Sequence, residues 1–120
     1  MTTGINYKKL IASFKFALSG IKIIFQEEQP FRIMLYIGAM LTIGMFYFNL
    51  SLTHKAVLFM IMTLVLTLEV VNSIVEKFLD FVHPGKNGRI KIIKDMLAGI
   101  VLIACIAAVI IGFLIFWPYF

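Results

Sequence analysis

Residues 56–80 read AVLFMIMTLVLTLEVVNSIVEKFLD, an apolar run that becomes polar towards its end. No charge occurs from residue 56 to 68, and the helical pattern continues to about Val82. The segment is therefore long enough for a helix to cross a bilayer. Pro84 and the glycines that follow it are expected to end the helix. This stretch predicts a membrane-spanning helix with an unusual polar end.

The rest of the chain supports an integral membrane protein. It has 120 residues, 62% of them hydrophobic, with a mean hydropathy of +1.02, and a soluble domain this small could not bury so much apolar surface. Two further apolar runs flank the first. We predict an all-α membrane protein, a single domain over residues 1–120. Its elements are a surface helix over about 6–27 and spans over about 31–51, 55–82 and 92–117.

The positive charges predict the orientation of these spans. A net charge of +5 can indicate nucleic-acid binding, but here the basic residues alternate along the chain. Five lie at residues 8–32, one at residue 55, five at residues 77–94 and none after that. The positive-inside rule then places the N-terminus and the second loop in the cytoplasm and the C-terminus outside. Clustering of this kind indicates membrane topology and no nucleic acid.

The first 27 residues predict a helix that lies on the membrane. Apolar residues recur at helical spacing, with lysines and a serine on the other side. Such a helix is expected to lie flat on the cytoplasmic leaflet, with its lysines towards the anionic headgroups of membrane lipids. The apolar residues are Tyr7, Leu10, Ile11, Phe14, Leu18, Ile21 and Phe25.

A stripe of polar side chains marks the second span. Glu69, Asn72, Glu76 and Asp80 fall within about an 80° arc of a helix and rise about 16 Å along it. Ionisable residues inside a span are costly and usually functional. Three interpretations are open at this point: proton or ion passage, phosphoryl transfer with carboxylates holding Mg²⁺, and polar contacts between helices.

The surroundings of the stripe favour phosphoryl transfer. The loop that follows it, residues 83–89, reads HPGKNGR, and Lys94 and Asp95 come shortly after. Because the connection is short, Lys94 and Asp95 are expected near the level of Glu76 and Asp80. Lysines there could neutralise nucleotide phosphates, and the glycines would permit close approach of the backbone. No Walker A sequence and no kinase glycine-rich loop occurs in the sequence.

These motifs together resemble a known family. The pattern Glu69-x-x-Asn72-Ser73-x-Val75-Glu76 with Asp80 is similar to the signature of the prokaryotic diacylglycerol kinase family, which includes undecaprenol kinases. The resemblance extends to Ser13-Phe14-Lys15 with Ala17 and Gly20, to Glu28 with Phe31-Arg32, and to Lys94-Asp95 with Gly99.

The resemblance implies an enzyme. Its relatives are homotrimers that use ATP and Mg²⁺ to phosphorylate a membrane lipid alcohol, in active sites shared between subunits. Diacylglycerol is the expected substrate, with undecaprenol as the alternative. An alternative of another class is a non-catalytic oligomeric membrane protein or pore with the stripe along its axis.

The resemblance also implies roles for individual residues. Glu69 would be the catalytic base, and Asn72 would help to bind the lipid hydroxyl beside it. Glu28 and Glu76 would hold the metal bound to ATP. The remaining nucleotide-binding residues would be Lys9, Gly85, Lys86, Asn87, Lys94 and Asp95.

The sequence departs from the family pattern in several places. Ile74 stands where the family prefers alanine, so it could crowd a close helix contact. Lys9 replaces an arginine that some members have, and Ala98 replaces a serine. Residues 84–88, Pro-Gly-Lys-Asn-Gly, differ from the loop that is common in relatives.

Overall fold

The computed structural model describes residues 4–120. Within them the chain forms four α-helices: α1, Tyr7–Glu27; α2, Gln29–Tyr47; α3, Leu52–Val82; and α4, Gly88–Phe116, followed by a short 3₁₀ turn, Trp117–Tyr119. The predicted all-α class is confirmed. Three elements are long and apolar enough to span a membrane, namely Gln29–Tyr47, Leu52–Val82 and Gly88–Tyr119.

Capping residues determine where the helices begin. Asn6, Ser51 and Asn87 precede α1, α3 and α4, and each accepts a hydrogen bond through its side chain from a backbone N–H in the first turn. These bonds satisfy donors that a helix start otherwise leaves free. As a result α3 and α4 start earlier than the predicted residues 55 and 92.

The first span ends earlier than predicted. Helix α2 stops at Tyr47 rather than near residue 51, because Asn49 adopts a left-handed conformation with φ of 52°. Asparagine tolerates this conformation better than most residues do. The chain therefore turns within residues 48–51 and enters α3 at once.

The three spanning helices pack around a small apolar core at the end where the turn joins α2 to α3. Met45, Leu50, Leu58 and Ile115 are almost fully buried there, and the Phe48 and Phe116 side chains pack against them. Elsewhere large apolar side chains remain exposed on all four helices. A single copy cannot shield them from water, so the bilayer or neighbouring copies must cover them.

Arginine 32 fixes the bend between α1 and α2. Its guanidinium Nη1 donates hydrogen bonds to the carbonyl oxygens of Phe25 at 2.7 Å and Gln26 at 2.8 Å. Both carbonyls belong to the last turn of α1, where carbonyls lack partners within the helix. A positive charge is also favourable at this end of the helix.

Replacing Arg32 with alanine is expected to loosen α1 from the spans. The loss of two charge-assisted hydrogen bonds should destabilise the junction by about 1 kcal/mol. A spin label at Ser19 should report greater mobility of α1 in Arg32→Ala. Arg89→Ala serves as the matched control, because Arg89 makes no side-chain hydrogen bond in the part of the chain that the structure describes. Equal label mobility in Arg32→Ala and the unsubstituted protein would show that Arg32 does not hold the bend.

Candidate active site

The buried face of α3 changes from apolar to polar along its length. Leu58 and Val65 are buried on this face near the N-terminal end and the middle of the helix, and Asn72 and Ser73 are buried further along. Glu69, between Val65 and Asn72, is half-buried. The part of the polar stripe formed by Glu69 and Asn72 therefore faces the packed side of the helix, whereas Asp80 at its end is exposed.

The Asn72 side chain is the most unusual of these groups. It is only 9% exposed, and its Oδ1 atom has no hydrogen-bond partner among the described residues. Leaving a buried acceptor without a partner costs about 1–3 kcal/mol. Native structures rarely tolerate this without a reason such as binding or catalysis.

The fold brings Glu28, at the junction of α1 with α2, against α3. Glu28 precedes the first residue of α2 without a side-chain capping bond, and its carboxylate pairs with Lys77, the residue that follows Glu76. Residues 49 positions apart in the chain are thus brought together near the polar end of α3.

Glu28 is held at this position by a lysine. Its Oε1 atom lies 2.7 Å from Nζ of Lys77, and its side chain is only 15% exposed. The Lys77 ammonium lowers the pKa of Glu28 below its usual value and overrides the opposite effect of burial, and the nearby Ser73 hydroxyl acts in the same direction as Lys77. Glu28 is therefore an anion at neutral pH.

The donor set fits a magnesium ion. No group of three or more His, Cys, Asp or Glu residues suited to a metal occurs among residues 4–120, so Glu28 and Glu76 would be a pair. Mg²⁺ prefers oxygen ligands and is commonly bound by one or two carboxylates, with waters and substrate phosphates completing its coordination. Two carboxylates beside a nucleotide would thus match the way this metal is commonly bound, although not a closed structural site.

An ion pair joins α3 to α4 near the loop that connects them. Lys94 Nζ lies 2.5 Å from Oδ1 of Asp80, and Lys91 Nζ lies 2.8 Å from Oδ2 of Asp95 within α4. Lys94 thus lies at the level of Asp80, as the short connection predicts. Because both partners of the Lys94–Asp80 pair are partly exposed, the pair contributes little to stability.

An open cavity of about 720 Å³, lined by three lysines among other residues, lies next to this ion pair. Gly85 in its lining has a φ of +110°, a left-handed backbone conformation that glycine adopts more readily than other residues do. The cavity brings together five of the predicted nucleotide-binding residues. Its lining consists of Gly85, Lys86, Asn87, Gly88, Ile90, Lys91, Lys94 and Asp95.

Asn87 and Asp95, two of the predicted nucleotide-binding residues, are already bonded to nearby residues of α4. The Asn87 side-chain oxygen caps α4 by accepting from Arg89 N at 2.9 Å and Ile90 N at 3.3 Å. Asp95 is paired with Lys91. The amide nitrogen of Asn87 and the second oxygen of Asp95 are the atoms left for other contacts.

Lys9 is not brought to the other predicted residues. It lies in the first turn of α1, is exposed, and contributes only its backbone N–H to the Asn6 cap. Within residues 4–120 its side chain has no ion-pair partner.

Ile74 does not crowd a helix contact within one chain. It is 55% exposed and lines a small cavity with Gly20 and Ile24 of α1. The expected crowding is therefore not found between helices of the same copy.

Sequence reasoning missed the role of Lys77. This residue, next to Glu76, bridges both Glu27 and Glu28 across 50 and 49 positions of the chain. A signal was available, since Lys77 is the one lysine or arginine in the C-terminal half of α3, and the acidic pair Glu27 and Glu28 is expected at the same side of the membrane. Which acid it contacts depends on the path of α1 and could not be read from spacing.

The chain was compared with known proteins. The family model described as prokaryotic diacylglycerol kinase matches residues 15–116. A curated protein from Synechocystis sp., named diacylglycerol kinase, is 36% identical over 104 residues, which cover 86% of this chain and 59% of that protein. The chain therefore spans less than two thirds of the length of this relative.

The Glu28–Lys77 contact predicts a pH-dependent stability difference. Because the pKa of Glu28 is lowered by folding, its contribution is complete above its ordinary value of 4.5 and is lost as the pH falls through the lower folded value. Glu28→Gln should therefore unfold at a lower temperature than the unsubstituted protein at pH 7. The two should converge as the pH falls below about 4.5. Thermal unfolding in detergent between pH 3 and 7 measures this, and a difference that persists unchanged at pH 3 would contradict it.

Proposed function

The chain belongs to the prokaryotic diacylglycerol kinase family, and we propose that it transfers the γ-phosphate of ATP to the hydroxyl of a membrane lipid alcohol. The observation that carries this proposal is the polar face of α3, where the half-buried Glu69 lies one helical turn from Asn72, whose buried side-chain oxygen has no hydrogen-bond partner among the described residues. Diacylglycerol is the proposed substrate, with phosphatidic acid as the product. Undecaprenol is the alternative lipid.

The order of the polar groups along α3 supports the following phosphoryl-transfer reaction. The oxygen of the lipid hydroxyl attacks the γ-phosphorus, and the hydroxyl proton passes to the Glu69 carboxylate. The bond from the γ-phosphorus to the oxygen that bridges it to the β-phosphorus breaks, and ADP leaves. Glu69 returns its proton to solvent when the lipid phosphate departs. The Asn72 oxygen gives the hydroxyl an acceptor that orients it on arrival.

The charged groups nearer the cytoplasm would hold the nucleotide. Glu28 and Glu76 would bind the Mg²⁺ ion, which supplies neutralisation of phosphate charge when it is bound. Lys86 and Lys94 line the open cavity at the end of the α3–α4 hairpin, where their ammonium groups can attract phosphates. Because Lys94 also pairs with Asp80, its ammonium would have to contact the Asp80 carboxylate and a phosphate at the same time.

The assembly and its location complete the proposal. We place the protein in the bacterial inner membrane with its N-terminus in the cytoplasm, in line with the charge distribution. Homotrimers with shared sites are proposed because apolar surface on all helices remains exposed in one copy. A neighbouring copy could then supply groups that one chain does not bring together, Lys9 among them.

Substitution of the carboxylates should separate their roles. Glu69→Gln removes the general base and should lower turnover by about 10²–10⁴-fold, the usual contribution of such a group. Glu76→Gln should weaken the dependence of the rate on Mg²⁺ as well as the rate. Turnover is measured as labelled phosphate recovered in lipid from mixed micelles.

Glu27→Gln is the matched control, because Glu27 lies outside the proposed catalytic groups and should retain most of the activity. Full turnover in Glu69→Gln would mean that another group is the base. An unchanged Mg²⁺ dependence in Glu76→Gln would remove that residue from the metal site.

Because the Asn72 oxygen has no partner, we expect that its replacement stabilises the fold and lowers the activity. Asn72→Leu replaces a buried amide with an apolar group of similar size and should raise the free energy of unfolding by about 1 kcal/mol. At the same time lipid phosphorylation should fall, because the hydroxyl loses its acceptor. Thr67→Val is a control, since its exposed hydroxyl already donates to Thr63 O. A less stable Asn72→Leu protein would show that Asn72 is a structural residue.

A further inference from the structure

The Lys77 side chain joins α3 to the junction of α1 with α2 through two ion pairs. Its ammonium nitrogen lies 2.7 Å from Oε1 of Glu28 and 2.8 Å from Oε2 of Glu27. Lys77 takes no part in the proposed reaction. It nevertheless contacts the carboxylate that this reaction requires for its metal ion.

The two partners of the contact differ in their freedom to move. The Glu28 side chain is 15% exposed, whereas that of Lys77 is 56% exposed. Lysine has a long, flexible side chain with a compact charge at its end. Lys77 can therefore leave the contact by rotation of its side chain, while Glu28 stays in place at the start of α2.

The contact also places Lys77 where a metal ion would bind. A carboxylate oxygen that accepts from an ammonium group at 2.7 Å cannot at the same time take a cation in the same direction. Two positive charges this close would also repel each other. Lys77 and a divalent ion are thus alternative partners of Glu28.

We propose that Lys77 is a positioning residue that occupies Glu28 in the nucleotide-free protein and must be displaced before a divalent metal ion binds there. This inference rests on the proposed function, specifically on Glu28 as a metal ligand. Before the nucleotide binds, Lys77 holds Glu28 against α3 and neutralises its charge. The phosphates of the arriving metal–nucleotide complex then offer the displaced ammonium a new anionic partner.

This competition predicts how the affinity for a bare metal ion changes. Without nucleotide the unsubstituted protein should bind Mn²⁺ weakly, because binding must break the Lys77 contact. Lys77→Gln removes the competitor and should bind Mn²⁺ about threefold or more tightly, since exposed ion pairs of this kind account for a factor of up to about five. Lys77→Arg keeps the positive charge and should bind as weakly as the unsubstituted protein.

The experiment is a titration of purified full-length protein in detergent with Mn²⁺, in which the free ion is followed by its electron paramagnetic resonance signal. Circular dichroism checks that each variant is folded. Lys55→Gln is the matched control, because Lys55 lies in the first turn of α3, at the other end of the helix from Lys77, and makes no ion pair among the described residues; its loss should leave Mn²⁺ binding unchanged. Glu28→Gln should weaken binding.

The outcomes separate the inference from the proposed function. Equal or weaker Mn²⁺ binding by Lys77→Gln, with weakened binding by Glu28→Gln, overturns the role of Lys77 and leaves Glu28 as a ligand. Unchanged binding by Glu28→Gln overturns Glu28 as a ligand and, with it, this inference. Tighter binding by Lys77→Arg also contradicts it, because the retained charge should still compete.

Discussion

The structure depends on one constraint: polar groups within a membrane-spanning helix must be covered by protein. Insertion of a charged side chain at the centre of a bilayer is costly, and such groups face the interior of a bundle or a water-filled cavity. In this chain the constraint acts on α3, whose buried face carries Asn72 and Ser73 beside the half-buried Glu69. The other helices are arranged so that this face is turned inwards.

The same constraint explains why the surface helix is tied to the spans. Glu28 at the junction of α1 and α2 is anionic and largely buried, so it requires a cation, which Lys77 of α3 provides. Arg32 fixes the bend on the other side by binding carbonyls at the end of α1. The carboxylate of the junction is thereby placed against α3, where the proposed metal site needs it. The contact that holds the junction against α3 therefore engages the same carboxylate that is proposed to bind the metal ion.

Much of the fold could be predicted from the sequence because its signals are local. The apolar runs predict the spans, the spacing of Glu69, Asn72, Glu76 and Asp80 predicts one polar face, and the short loop predicts the level of Lys94. The early end of α2 at Tyr47 was missed because it depends on the backbone conformation of a single residue, Asn49. The Lys77 contact was missed because it joins residues 49 positions apart and depends on the path of α1. The roles of the site residues and the trimer stay predictions, since they depend on ligands and neighbouring copies.

The central claim is that the polar face of α3 serves phosphoryl transfer to a lipid. Its most direct test is a mass balance: folded protein in lipid nanodiscs is given γ-labelled ATP, with diacylglycerol or undecaprenol in parallel reactions. Phosphate in the lipid fraction and ADP in the aqueous fraction are then measured. The account predicts one lipid monophosphate for each ADP formed, with diacylglycerol the faster of the two substrates. A folded protein that labels neither lipid would contradict it.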